Sequence, residues 1–76
     1  MSDIITNTMI TVRSIKTGAT YEAQYTVERP AGEFGMVRAS LLIFNEFGTF
    51  LDSYKPTVLE AIDGLREQIA GHWKRA

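Results

Sequence analysis

The chain has 76 residues, 45% of them hydrophobic and 22% charged, and its eight basic and nine acidic side chains leave a net charge of -1. That composition describes one globular domain over residues 1–76 and excludes an intrinsically disordered chain. With no cysteine there is neither a disulfide framework nor thiolate zinc ligation, and the nearly cancelled charge argues against a polyanion as obligate partner.

The first residues, MSDIITNTMITV, lack the basic region and long apolar run of a signal peptide. Nothing approaches the run of about 18 apolar residues that a membrane span needs, so a cytoplasmic protein with no membrane partner is expected. Residues 8–16, TMITVRSIK, are rich in β-branched side chains and read as a strand, followed by a turn at 17–20. In the next run Tyr21, Ala23, Tyr25 and Val27 alternate with Glu22, Gln24, Thr26 and Glu28. That period of two marks a strand with one buried and one wet face.

Residues 29–35, with Pro30, Gly32 and Gly35, form a loop. A third strand is predicted from Met36 to about Phe44, turn chemistry at 45–48, and a fourth strand from Thr49 to Tyr54. Pro56 and Thr57 open a helix, and Thr57 with Glu60 fits the capping box. At helical spacing Val58, Ile62, Leu65, Ile69, His72 and Trp73 share one stripe, with Glu60, Asp63, Glu67 and Lys74 opposite. Lys74 and Arg75 would then suit the negative pole of the helix. Gly64 and Gly71 lie beside the charged face and raise two options, close approach of another helix or simple fraying near the end.

The expected fold is therefore α+β: a four-stranded antiparallel β-meander packed on one face by a C-terminal amphipathic helix, in the order β-β-β-β-α. It resembles, in architecture only, the β-β-β-α cores of double-stranded RNA-binding and HicB-like domains. No motif of either family is present, and no residue is carried over from them.

Residues 41–54, LLIFNEFGTFLDSY, hold four of the eight aromatic side chains, Phe44, Phe47, Phe50 and Tyr54. A turn of two or four residues pairs Ile43 with Phe50 and Leu42 with Leu51. Phe50 and Tyr54 then join the helix-facing core, and Leu42, Phe44 and Leu51 are left on the far face. A three-residue loop sets Phe44 against Phe50 on the far face instead, because a one-residue slip exchanges the faces of a strand. The first register is preferred, since it places more aromatic area in the core. Either way apolar side chains remain where a single helix cannot reach. Strand twist with Ile4 and Ile5 is one way to cover them, and Phe34 and Phe47 folding over the core edge is another. Otherwise Leu42, Phe44, Phe47 and Leu51 are a partner-binding surface.

Residues for chemistry are sparse. Ser53, His72 and Asp52 could be imagined as a triad, but adjacent strand residues point to opposite faces. The acids are scattered, and Glu60, Asp63 and Glu67 read as a solvated helix face, so no metal, cofactor or small-molecule substrate is inferred. Gly32-Glu33-Phe34-Gly35 lacks the length and lysine of a phosphate-binding loop. The leading expectation is a non-catalytic protein–protein interaction domain, forming a homodimer or docking on a larger protein as an accessory subunit or inhibitor. The alternative is a nucleic-acid-binding module, with Tyr21 and Tyr25 stacking bases and Arg13, Arg38, Lys74 and Arg75 meeting phosphates.

Overall fold

The computed structural model describes residues 3–32 and 35–76; Glu33 and Phe34 lie outside the described residues, and so does the expected role of Phe34 as a cover. The elements are β1 Asp3–Ser14, β2 Thr20–Arg29, β3 Val37–Ile43, β4 Phe50–Lys55, α1 Val58–Ile69 and β5 Trp73–Arg75. All pairings are antiparallel, in one curled sheet of order β4-β3-β2-β1-β5. The α+β class and the meander of the first four strands stand. The count of four does not, because β5 adds to the outer side of β1.

The alternation in β2 has the predicted consequence. Ala23 and Val27 are buried, and their direct partners Ile43 and Ala39 on β3 are buried with them. Val12, Val37, Leu41 and the helical Ala61 and Leu65 complete the core. Thr57 caps α1 as the sequence suggests: its hydroxyl accepts from the Glu60 amide at 3.2 Å and donates to the Glu60 carboxylate at 3.0 Å. One free amide of the first turn, that of Glu60, is thereby satisfied; the carboxylate bonds the Thr57 hydroxyl and not the Thr57 amide that a full capping box would engage.

The helix lies over β3 and β4. Gly64 accounts for how closely it does so. A Cβ at that position would come within 2.2 Å of the Ser53 Oγ and 3.1 Å of its Cβ, so the missing side chain lets the helix backbone settle onto β4. The close approach is to a strand of the same chain, not to another helix.

The predicted helix stripe overruns the helix. Helical geometry ends at Ile69, Ala70 donates to the Arg66 carbonyl at 2.9 Å, and Gly71 takes the left-handed φ of +83°. A left-handed glycine just past the last turn reverses the chain, which is the usual reason for glycine there. His72 and Trp73 therefore leave the helix. Trp73, Lys74 and Arg75 pair with Ser14, Arg13 and Val12, and the Trp73 ring meets Tyr21 edge-on at 5.9 Å.

The β3–β4 register also differs from the preferred one. Leu42 pairs with Phe50 and Leu41 with Leu51, and the Ile43 amide donates to the Thr49 carbonyl at 2.8 Å. The cause is Asn45. Its side-chain carbonyl accepts from the Thr49 amide at 3.0 Å and its amide donates to the Thr49 hydroxyl at 2.8 Å, closing an odd-length loop over residues 44–48. Odd length turns Leu51 toward the helix and Phe50 and Tyr54 away from it.

The Gly64 contact makes a paired prediction. Gly64→Ala should lower stability by about 1–3 kcal/mol through overpacking. Ser53→Ala should be neutral or stabilising, because the buried Ser53 Oγ has no hydrogen-bond partner to lose. The double variant should recover most of the loss, read as midpoint shifts in urea unfolding at constant slope.

Candidate interaction site

The face of the sheet turned away from α1 is built in cross-strand rows. One row runs Phe50, Leu42, Gln24, Met9, and the row beyond the next runs Tyr54, Arg38, Glu28, Ile4. Phe44 follows two residues after Leu42 on the same side, its backbone anchored by donation to the Glu22 carbonyl at 2.9 Å. Phe50 is 54% exposed, Phe44 52% and Phe47, at the tip of the turn, 87%; Leu42 beneath them is half-buried. Of the four residues expected to bind a partner, Leu42, Phe44 and Phe47 thus lie together at one corner. Leu51 does not join them: it faces the helix and packs against the core. Phe50 takes its place, and the signal that would have found it is the loop-closing Asn45.

Neither proposed internal cover operates among the described residues. Phe47 points out. Ile4 and Ile5 belong to β1, where a bulge between Ile4 and Thr6 breaks the register, and both are exposed. Ile4 stands in the Glu28–Arg38 row, four residues or about 13 Å along the strands from the Leu42 row. That intervening region is polar. Arg38 reaches Glu28 at 3.6 Å and Asp52 at 3.9 Å and lies 5.7 Å from the centre of the Tyr54 ring, while Gln24 donates to Asn7 at 3.0 Å. The aromatic corner therefore has a charged and hydrogen-bonded rim.

The residues considered for nucleic-acid contact are divided between the two faces. Tyr21 and Tyr25 lie on the helix side, in line with Ala23 and Val27, and Arg75 lies with them opposite Val12, whereas Arg13, Arg38 and Lys74 lie on the other. The imagined triad is dispersed as well. Ser53 is buried under Gly64, Asp52 faces the opposite side of β4, and His72 leads into β5 at the other edge of the sheet. Among the described residues no group of three or more His, Asp or Glu side chains converges as metal ligands would, and no helix is long and apolar enough to cross a membrane.

Two further features were invisible in the sequence. On the helix side, a groove of about 520 Å³ lies between α1 and β1. Ile10, Val12, Tyr25 and Leu41 form its floor, Ile62, Leu65 and Ile69 its wall, and Arg66, Lys74 and Arg75 border it; no acidic side chain lines it. Beside the groove, β1 presents a free edge. β5 covers only Val12–Ser14, so among the described residues no strand pairs with the outer side of Asp3–Ile10. The signal for this long strand was weak, because Ile4, Ile5 and Thr6 run together without alternation.

Comparison with known proteins finds no matching family model, no matching curated protein and no matching solved structure.

One electrostatic consequence of β5 is directly measurable. Arg13 and Lys74 are opposed across the β1–β5 ladder, an unfavourable pairing of like charges. Arg13→Glu should raise the thermal midpoint by a few degrees, up to about 8 °C, with the gain shrinking as salt is added.

Proposed function

We propose that the protein is a non-catalytic protein–protein interaction domain that self-associates through the corner formed by Leu42, Phe44, Phe47 and Phe50. The observation that supports this reading is the gathering of three phenylalanines, each more than half exposed, around one half-buried leucine. Scattered exposed apolar residues need no explanation, but three exposed phenylalanines on one hairpin, beside a polar stretch of the same sheet face, are the feature of this surface that suits an interface. Phe50 opens β4, Phe44 follows directly after β3 with its amide bonded to the Glu22 carbonyl, and Phe47 lies on the turn between them, which Asn45 closes.

A second copy is a suitable partner for such a patch. A two-fold arrangement sets the same corner against itself, and small domains without disulfides or metals commonly gain stability from association. Full burial of one such side chain from full exposure is worth about 1.5–3 kcal/mol; with most of the eight in a dimer already about half-buried, the gain is about 6–12 kcal/mol, of the same order as an association cost of about 4–15 kcal/mol. The result is a concentration-dependent dimer and not a permanent one. Docking of the same corner on a larger protein, as an accessory subunit or inhibitor, is the variant of this reading in which the partner differs.

The test is molar mass by light scattering on a size-exclusion column across a dilution series. The wild-type chain should shift from monomer toward dimer as concentration rises. Phe44→Glu and Phe50→Glu should hold it monomeric with an unchanged far-UV circular dichroism spectrum. Leu51→Glu should instead unfold it, because Leu51 packs against the core. Association that survives both phenylalanine substitutions would place the interface elsewhere.

A further inference from the structure

The geometry points to a second interaction site on the molecule: the free edge of β1 takes an extended acidic-apolar segment of a partner protein as an added antiparallel strand. This site is separate from the aromatic corner, which lies on the other face of the sheet and is built by β3 and β4.

The edge itself is the first observation. The Ala76 amide donates to the Thr11 carbonyl at 3.0 Å, so the backbone groups of Thr11 point toward β5. Alternation along a strand then directs the amides and carbonyls of Met9 and Asn7 outward as well, where no described strand meets them. Exposed edges are ordinarily guarded by charge, proline or an overlying element. The opposite edge strand, β4, has all three: Asp52 and Lys55 within it, Pro56 after it, and the Gln68 side chain donating to the Asp52 carbonyl. Residues 4–11 of β1 carry neither a charge nor a proline.

The second observation is that the chain already uses this edge. β5 joins it antiparallel and turns Trp73 to the helix side, against Tyr21. A segment prolonging the line of β5 would pair with Met9 and then Asn7. Its alternate side chains, opposite Ile10, Thr8 and Thr6, would hang over the apolar groove walled by α1. Main-chain pairing at an edge with alternate side chains in a flanking groove is the physics of strand addition.

The chemistry of the groove selects the occupant. Its apolar wall calls for apolar side chains at alternate positions, and Arg66 and Arg75, on the helix side of the sheet, call for acid where the segment leaves β5. A second copy of this chain fits poorly, since residues 4–11 of its own β1 carry no acidic side chain to meet Arg66 and Arg75.

The probe is a fluorescein-labelled, amidated heptapeptide of two glutamates followed by alternating valine and threonine, with binding read by fluorescence anisotropy. Saturable binding is expected. It should fall at least about tenfold when the peptide amides that face the edge are N-methylated, and about tenfold when lysines replace the glutamates. Met9→Pro in the protein should cost at least about tenfold too, because the Met9 amide points outward and contributes nothing to the β1–β2 ladder. Phe44→Glu should leave peptide binding unchanged, which separates this site from the aromatic corner. Absence of binding, or equal binding of the N-methylated peptide, would overturn the proposal whether or not the Met9→Pro chain folds. A dimer that Met9→Pro dissociates and the peptide cannot displace would also overturn it, by giving the edge to a second copy.

Discussion

A helix is about 10–12 Å across with its side chains, and neighbouring strands lie about 4.8 Å apart, so one helix can cover about two strands. This sheet has five. The structure is organised around that shortage. α1 is drawn down over β3 and β4 by Gly64 and by small side chains beneath it, Ala39 on the sheet and Ala61 on the helix. Over β1 and β2 the cover has to come from side chains instead, and Tyr21, Tyr25 and Trp73 supply it with large rings whose polar atoms can stay near water. Where the rings and the helix fail to meet, the groove remains.

The two edges of the sheet are accordingly different objects. β4 is tied to the helix by Gln68 and charged along its length, so it ends the sheet. β1 is long, uncharged over most of its free part and already partnered at one end. An edge of that kind either takes another strand or becomes a liability, because unpaired backbone groups in a row are a template for pairing. The open face repeats the contrast at side-chain level, with Arg38 ion-paired to Glu28 and Asp52, though its Nε makes no hydrogen bond, and exposed phenylalanines on the same face.

Much of this was legible in the residues. The alternation in β2, the loop glycines and the Thr57–Glu60 pair announce a meander and a capped helix, because each works through neighbours close in sequence. The failures have a common character. His72 and Trp73 fit the helical period as well as any residue in α1, and only the backbone at Gly71 reveals that the chain has turned back. The β3–β4 register hung on whether the Asn45 side chain would close the turn over residues 44–48, and hydrophobic count favoured the wrong answer. Leu51 and Phe50 exchanged faces as a result. The groove could not be read at all, since it depends on where α1 settles sideways, and that is decided by the meeting of Gly64 with Ser53.

β5 has a kinetic meaning as well as a structural one. It joins the last residues of the chain to β1, through three residue pairs, whereas the other strands pair with their neighbours in sequence. Closing so long a loop for so few contacts is the least rewarded step in assembling the sheet, which makes β5 the last strand gained during folding and the first to open in the native state. The opening also withdraws Trp73 from the core it packs against, although the fully buried cluster itself is drawn from β1 to β4 and α1. Each such event frees Trp73 from Tyr21 and lengthens the unpaired edge of β1 toward Ser14, so the length of that edge is set by whether β5 is closed.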